Sequence, residues 1–200
     1  MFSLVYGLWK YWFRKDEYYV MILGLDNAGK TTYLEKCKQL MARGYSGISL
    51  DRISPTVGMN VGRIDVSTIR LIFWDVGGQQ DLQTLWEKYY TECHAIIYVV
   101  DSSDQARMDE SLHILERLLG SDHLTGIPVL VVANKRDKES CFPSSDLKAR
   151  LSFPSLKNRD CLVLEASAYK GSGIQDGIEW LVQCVQLNSS ARPPHLREVS

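Results

Sequence analysis

Residues 24–32 read Gly24-Leu25-Asp26-Asn27-Ala28-Gly29-Lys30-Thr31-Thr32, directly after an apolar stretch at 18–23. This run matches G-x-x-x-x-G-K-[ST], the pattern of a phosphate-binding loop between a strand and a helix. Glycine at both ends lets backbone N–H groups turn inward around a polyphosphate. Lys30 supplies a charge for the terminal phosphates, and the Thr31 hydroxyl is a hard oxygen ligand for Mg²⁺. The run therefore predicts a nucleoside triphosphate site on a βα unit.

Around this loop, apolar runs of strand length alternate with longer helical patterns. Strand candidates are 18–23, 70–74, 95–100, 129–133 and 161–165, and helix candidates are 30–41, 105–119, 144–151 and 174–187. Such alternation is typical of βαβ units that build a parallel sheet. We expect an α/β fold of the phosphate-loop NTPase type, with a mostly parallel six-stranded sheet, helices on both faces and ligand loops at the carboxyl ends of the strands.

One stretch departs from the alternation. Runs 60–66 and 69–75 are separated only by Ser67-Thr68, which predicts an antiparallel hairpin and hence one antiparallel edge strand. We divide the chain into an amphipathic N-terminal helix at 1–15, a nucleotide-binding domain at 16–188 and a polar C-terminal tail at 189–200.

The tetrapeptide Asn134-Lys135-Arg136-Asp137 follows the strand candidate 129–133 and predicts which base is bound. Guanine presents N1–H and an N2 amine on one edge, and the Asp137 carboxylate can accept both. Adenine would set an acceptor against it, which costs about 1 to 3 kcal/mol. Asn134 is expected on the opposite purine edge and the Lys135 stem over the base face. The pattern predicts GTP and GDP as ligands.

A further contact to guanine is expected from Ser167-Ala168, after the strand candidate 161–165. A backbone N–H here is placed to reach the guanine oxygen. Small residues are also frequent in ordinary strand-to-helix loops, so this dipeptide alone leaves both interpretations open.

The run Trp74-Asp75-Val76-Gly77-Gly78-Gln79 ends the second strand of the hairpin. We expect Asp75 to hold Mg²⁺ through a water and the Gly78 amide to approach the γ-phosphate. Gln79 would orient the attacking water. Thr56, in Pro55-Thr56-Val57-Gly58, precedes the hairpin and is a second candidate Mg²⁺ ligand.

Composition limits the partners. A net charge of −1 gives no overall attraction to nucleic acid, and the five cysteines, without C-x-x-C pairs, indicate a reducing compartment. Residues 1–15 are rich in aromatic and aliphatic side chains at helical spacing, among them Phe2, Val5, Trp9, Trp12 and Phe13. This pattern is typical of a helix that lies at a membrane surface, but a helix packed on the domain itself remains an alternative.

Taken together, the runs GLDNAGKTT, PTVGMNV, WDVGGQ and NKRD resemble the small GTPases, and among them the Arf and Arf-like branch. The form D-V-G-G-Q is the discriminating detail. Shorter matches, such as Met1-Phe2, Glu92-Cys93-His94 and Arg192-Pro193-Pro194, are similar to an Arf-related branch of the trans-Golgi network.

The resemblance implies a two-state switch that depends on Mg²⁺, an exchange factor, a GTPase-activating protein, effectors and a Golgi membrane receptor. It also implies that the hairpin shifts register and expels the N-terminal helix toward the cytosolic face of the Golgi membrane. Position 2 is Phe2, so the myristoylation pattern is missing, and acetylation of Met1 is expected instead. Met59 stands where phenylalanine is usual in an aromatic effector patch that includes Trp74 and Tyr89.

Two other functions are compatible with parts of the sequence. A nucleotide-loaded scaffold with negligible hydrolysis would keep the phosphate loop, but the retention of Thr31, Thr56, Asp75 and Gln79 favours a switch. An ATP-dependent kinase would share the same loop, and Asp137 argues against it. We expect slow intrinsic hydrolysis.

Overall fold

The computed structural model describes residues 15–151, 156 and 158–196. Its sheet contains β1 (Asp16–Leu23), β2 (Met59–Val66), β3 (Ile69–Val76), β4 (Ala95–Asp101), β5 (Val129–Asn134) and β6 (Cys161–Glu165). The order across the sheet is β2-β3-β1-β4-β5-β6. Only the β2–β3 pairing along this path is antiparallel. The predicted sheet, with its antiparallel edge, is confirmed.

Helices connect the strands on the described part of the chain. They are α1 (Lys30–Met41), α2 (Gln80–Gln83), α3 (Met108–Leu119), α4 (Ser144–Arg150) and α5 (Ile174–Leu187). The bounds of α1 and α5 match those predicted from the apolar spacing. In these described residues, no helix is long and apolar enough to cross a membrane.

Buried side chains form a core on each face of the sheet, because both faces are covered by helices. One core joins Met21, Trp74 and Tyr98 to Leu115 of α3 and Leu147 of α4. The other joins strand residues on the opposite face to Tyr33 of α1 and Ile178 of α5. Parallel strands buried on both faces need continuous apolar runs, which is the pattern that 95–100 and 129–133 provide.

The hairpin turns at Ser67-Thr68, as predicted. Ser67 has φ 53°, a left-handed conformation found in tight hairpin turns. The eight-residue register runs from Met59 opposite Val76 to Val66 opposite Ile69. Because β3 also pairs with β1, the hairpin is held to the rest of the sheet through one strand.

Part of the C-terminal segment lies on the sheet, which the sequence did not predict. His195 and Leu196 form a short strand, β7, antiparallel to Asp16 and Glu17 of β1. His94 links the segment to β1: its Nδ1 accepts the N–H of Tyr19 at 3.0 Å, and its Nε2 faces the Pro193 carbonyl at 3.0 Å. The predicted N-terminal helix and residues 197–200 of the predicted tail lie outside the described residues, apart from Lys15.

The segment between α1 and Thr56 packs against α1 through a buried carboxylate. Glu35 is 2% exposed and accepts hydrogen bonds from the Tyr45 hydroxyl at 2.6 Å and from Lys38 Nζ at 2.5 Å. This bond to Glu35, together with burial, raises the pKa of Tyr45 to about 12. The segment is therefore anchored where it leaves the helix.

Candidate guanine nucleotide site

The phosphate loop joins β1 to α1, and its two glycines are sterically required. Gly24 has φ 139°, and a Cβ there would lie 2.2 Å from the Val99 carbonyl oxygen. Gly29 has φ 93°, and a Cβ there would lie 2.5 Å from Asn134 Nδ2. Only glycine tolerates both the backbone angle and the close neighbour. The loop is thus packed directly against β4 and the last residue of β5.

Lys30 is the first residue of α1 and its side chain folds back over the loop. Its Nζ donates to the carbonyl oxygens of Gly24 at 3.1 Å and Leu25 at 2.8 Å. Burial lowers the pKa of Lys30 to about 8, although the carboxylates of Asp75 and Asp26 act to raise it. A buried ammonium with two carbonyl partners retains one further donor for an anion. A phosphate beside it would favour the charged form.

Three oxygen-bearing side chains converge from three segments of the chain. The Thr31 hydroxyl donates to Asp75 Oδ2 at 2.7 Å and lies 2.8 Å from the Thr56 hydroxyl, which is 3.4 Å from the same carboxylate oxygen. Asp75 is fully buried, and its Oδ1 has no hydrogen-bond partner among the described residues. Burial raises the pKa of Asp75, and the bond from Thr31 and the charge of Lys30 oppose that rise.

This arrangement fits Mg²⁺ by its donor chemistry. Hydroxyl and carboxylate oxygens are the ligands that the ion prefers, and it commonly retains waters that bond to a nearby carboxylate. Burial of a carboxylate oxygen without a hydrogen-bond partner costs free energy, and a metal-bound water would supply the missing partner. The three predicted metal residues, Thr31, Thr56 and Asp75, are therefore brought together in one cluster.

The segment after β3 crosses close to the phosphate loop. A Cβ on Gly78 would lie 2.4 Å from both Lys30 Nζ and the Gly24 carbonyl oxygen. A hydrogen bond from Trp86 Nε1 to the Gly77 carbonyl, at 3.2 Å, fixes this segment. Gln79 is exposed and precedes α2, and its side chain makes no capping bond.

Asn134 makes two buried contacts that the sequence did not predict. It is 1% exposed, its Nδ2 donates to the Ala28 carbonyl at 2.9 Å, and its Oδ1 accepts the Ala168 N–H at 2.9 Å. The side chain thus joins the phosphate loop to the loop after β6. The N–H of Ala168, in the dipeptide from which a backbone donor to the guanine oxygen was expected, bonds to Asn134 here. These two bonds make Asn134 a clamp between two ligand loops, and its contact with the purine edge stays a prediction.

The other residues that the sequence predicts to recognise the base are held in place by ionic and polar contacts. Asp137 Oδ1 accepts the Ser167 hydroxyl at 2.5 Å. Lys135 has φ 65°, and its Nζ donates to Asp101 Oδ2 at 2.6 Å. Burial by itself would raise the pKa of Asp101, but the bonds from Lys135 and Ser103 outweigh it and hold the pKa below its usual value. The Lys135 stem is therefore fixed beside the cavity.

A cavity of about 230 Å³ connects most of these groups. Its lining includes Gly29, Lys30, Thr31, Thr56 and Gly78, and it also includes Asp26, Asn27, Thr32, Gln79 and Lys135. Asn134, Asp137, Ser167 and Ala168 lie outside the lining, at the carboxyl ends of β5 and β6. Ligand loops at the carboxyl ends of parallel strands are the usual position for nucleotides in this class of sheet.

The predicted aromatic patch is partly buried. Trp74 is 7% exposed, and its ring centroid lies 5.2 Å from that of Tyr89 and 4.6 Å from that of Tyr19. Met59 and Val61, on the neighbouring edge strand, are about two-fifths exposed. Trp74 belongs to the core in this arrangement, whereas Met59 and Val61 expose apolar surface on β2.

A family model described as the ADP-ribosylation factor family matches residues 5–185. The chain belongs to the ADP-ribosylation factor family. It is 50% identical over 202 residues to "ADP-ribosylation factor-related protein 1" of Rattus norvegicus and of Homo sapiens, covering 100% of both chains in each case. It is 42% identical to "ADP-ribosylation factor-like protein 3" of Saccharomyces cerevisiae, over 97% of this Arf-family chain and 98% of the relative.

A solved structure extends the comparison to three dimensions. The Arl6 BBS3 small GTPase of Trypanosoma brucei, with the nucleotide analogue GppNp bound, superposes with a TM-score of 0.74 at 27% identity. The match covers 86% of this chain and 98% of the other. This Arf-family chain is accordingly a GTPase that binds GTP and GDP with Mg²⁺, and it works as a switch with exchange factors, GTPase-activating proteins and effectors.

Proposed function

We propose that the chain is a membrane-recruitment switch of the trans-Golgi network. GTP orders the loops around Thr56 and Gln79 through the γ-phosphate and Mg²⁺, and hydrolysis releases them. In this proposal Thr31 and Thr56 bind Mg²⁺ directly, Asp75 binds it through a water, and Gln79 orients the attacking water. Nucleotide contacts come from Gly24, Leu25, Asp26, Asn27, Ala28, Gly29, Lys30, Thr31, Thr32, Thr56, Gly78, Asn134, Lys135, Asp137, Ser167 and Ala168.

The position of Lys15 is the observation that supports a link between the nucleotide state and membrane binding. Its Nζ pairs with Asp65 of β2 at 3.1 Å, so the side chain of the residue before β1 is tied to the hairpin. A groove of about 1,070 Å³ runs beside this point and is lined by Tyr19, Met41 and Trp74, among others. A register shift of the hairpin would change both the Lys15 contact and the groove. This supports coupling between the nucleotide state and residues 1–14.

The N-terminal residues supply the membrane contact in this proposal. Residues 1–14 place aromatic side chains at helical spacing, and such rings favour the headgroup region of a bilayer. Phe2 stands where the myristoylation pattern has glycine, and we propose acetylation of Met1 and docking to an integral Golgi protein. Removal of the terminal positive charge makes an apolar helix easier to bury. Similarity to ADP-ribosylation factor-related protein 1 over the whole chain supports the Golgi location.

The side chains that line the cavity support slow intrinsic hydrolysis of GTP. Gln79 is exposed, and none of the described residues that line the cavity is an arginine. An arginine that stabilises the transition-state charge is commonly worth several orders of magnitude in rate. We therefore propose intrinsic turnover on the order of 10⁻³ s⁻¹ or below, and dependence on an activating protein.

The location of the protein in cells tests the nucleotide switch and its proposed membrane together. Wild-type protein should be found on trans-Golgi membranes, whereas Thr31→Asn, which loses a Mg²⁺ ligand, should be released to the cytosol. Deletion of residues 1–14 should also release the protein while GDP and GTP binding persist. Thr125→Asn is the matched control, since Thr125 is an exposed threonine outside the cavity lining. Golgi retention of the deletion variant would overturn the proposed anchor.

Nucleotide selectivity tests the base assignment. Wild-type protein should bind GTP at least about tenfold more tightly than ATP, and Asp137→Ala should lose most of that preference. Asp146→Ala, an exposed aspartate in the first turn of α4, is the control and should leave the preference unchanged. Equal binding of ATP and GTP by the wild type would contradict guanine recognition by Asp137.

A further inference from the structure

Arg107 connects the start of α3 to the phosphate loop. It ends a short 3₁₀ turn at Gln105–Arg107, where Asp104 accepts both its backbone N–H at 3.2 Å and its Nε–H at 2.7 Å. These two bonds fix the direction of the guanidinium. Its NH1 group then donates to Asp26 Oδ1 at 3.0 Å, and NH2 lies 3.5 Å from the Asp26 carbonyl oxygen.

Asp26 places a negative charge at the cavity where the proposed nucleotide phosphates lie. It is the third residue of the phosphate loop and lines the cavity with Lys30, Thr31 and Gly78. Its charge reaches Lys30, whose pKa it acts to raise. A carboxylate at this position repels a triphosphate more than a diphosphate, because the triphosphate carries additional negative charge at the Lys30 end of the site.

The Arg107–Asp26 pair offsets that repulsion. Arg107 remains charged at any physiological pH, and its planar group can bond Asp104 and Asp26 at the same time. Arg107 does not line the cavity itself, since it contacts Asp26 from the side that faces α3. It therefore acts on the nucleotide through the carboxylate rather than by touching the phosphates.

We propose that Arg107 is a positioning residue that neutralises Asp26 and turns its carboxylate away from the γ-phosphate, and that it thereby sets the preference of the site for triphosphate over diphosphate. The proposal rests on the assignment of the 230 Å³ cavity as the nucleotide site. The phosphate-loop pattern does not include this residue, because Arg107 lies 81 residues away from Asp26 in the sequence.

The pair is partly exposed to solvent, since the side chains of Arg107 and Asp26 are 34% and 54% exposed. Ion pairs with this exposure contribute little to folding. Loss of the pair should therefore leave the fold intact, and its main effect should be electrostatic and local.

The test is a double-mutant cycle on the full chain with Mg²⁺ present. Affinities for fluorescent GDP and GppNp are measured for the wild type, Arg107→Ala, Asp26→Asn and the double variant. Arg150→Ala is the matched control, because Arg150 is also an arginine paired to the first turn of α3, through Asp109. Thermal unfolding of each variant reports on the fold.

Arg107→Ala should weaken GppNp binding roughly tenfold and GDP binding by less than about threefold. Asp26→Asn in the Arg107→Ala background should restore the ratio of the two affinities to within about twofold of that of Asp26→Asn alone, and Arg150→Ala should not change the ratio. An equal loss for both nucleotides, or a loss that Asp26→Asn does not rescue, would overturn the proposal for Arg107 alone. Failure of the wild type to bind either nucleotide would overturn the proposed site as well.

Discussion

Asn134 Nδ2 donates a 2.9 Å hydrogen bond to the carbonyl oxygen of Ala28, 106 residues earlier in the chain. The same amide accepts the Ala168 N–H through Oδ1, so one buried side chain ties together the phosphate loop and the loop after β6. The positions of the two loops are therefore fixed relative to each other by one amide group. This makes Asn134 a determinant of the site even where it touches no ligand atom.

Asn134→Ala should weaken GDP and GTP binding by a similar factor, on the order of 10- to 100-fold. The variant loses two buried hydrogen bonds and leaves the Ala28 carbonyl and the Ala168 N–H unpaired, at about 1 to 3 kcal/mol for each unpaired group. Equilibrium binding of both nucleotides checks this. Asn188→Ala is the control, since Asn188 also donates to a backbone carbonyl, that of Gly126, but outside the cavity. A selective loss of GTP alone would contradict the clamp.

Thr31→Ala should accelerate nucleotide release and reduce the effect of Mg²⁺ chelation. The Thr31 hydroxyl bonds Asp75 and lies beside Thr56, so its removal takes an oxygen from the proposed metal cluster. Thr31→Ser retains that oxygen and should behave as the wild type. Release rates of fluorescent GDP, measured with and without EDTA, give the comparison. If EDTA accelerated release equally in all three proteins, Thr31 would not be a metal ligand.

Gln79→Leu should slow hydrolysis by at least about tenfold in the presence of an activating protein, with nucleotide affinity unchanged. Gln79 is exposed and makes no capping bond with its side chain, so its replacement leaves folding contacts intact. The measurement is single-turnover phosphate release. Gln80→Leu changes the adjacent exposed glutamine and is the control. Similar rates for the two variants would remove Gln79 from the water-positioning role.

Tyr45→Phe should destabilise the protein by about 1 kcal/mol, a modest value because Tyr45 is only half-buried. The change deletes the hydroxyl that donates to the buried Glu35 carboxylate at 2.6 Å. Urea unfolding at neutral pH measures the change. Tyr169→Phe removes the hydroxyl of a tyrosine that is 58% exposed and should have no effect on the free energy of unfolding. An equal effect of the two changes would mean that the Glu35 contact does not anchor the segment.

The sequence predicted the parts of the fold and of the site that depend on short runs of neighbouring residues. Continuous apolar runs and the two-residue spacing at Ser67-Thr68 determine the sheet and its antiparallel edge, and the G-x-x-x-x-G-K-[ST] run determines the phosphate loop. Two features depended on distant contacts instead. The Asn134 clamp requires the positions of Ala28 and Ala168, and the docking of His195 on β1 requires the buried ring of His94, which has no local signature.

The docked C-terminal segment should make stability depend on pH through His94. Its Nδ1 accepts the Tyr19 N–H, so the ring is neutral with its proton on Nε2, facing the Pro193 carbonyl. Burial lowers the pKa of His94; the Pro193 carbonyl opposes this shift, while the neighbouring His195 and Arg192 add to it. A histidine in the unfolded chain has a pKa of about 6.5. Because the folded value is lower, the unfolded state binds more protons, and this contribution to stability is complete above about pH 6.5 and is lost as the pH falls toward the folded pKa.

Replacement of the ring isolates this contribution from other titrating groups. His94→Gln cannot titrate, so the wild type should lose stability relative to it between about pH 7 and pH 5.5, when unfolding free energies are measured in urea. His113→Gln removes an exposed histidine on α3 and should follow the wild-type curve. Parallel curves for the wild type and His94→Gln would contradict a buried neutral His94. If the two curves converge as the pH falls, protonation of His94 is the step that weakens the contact of Pro193 and His195 with β1.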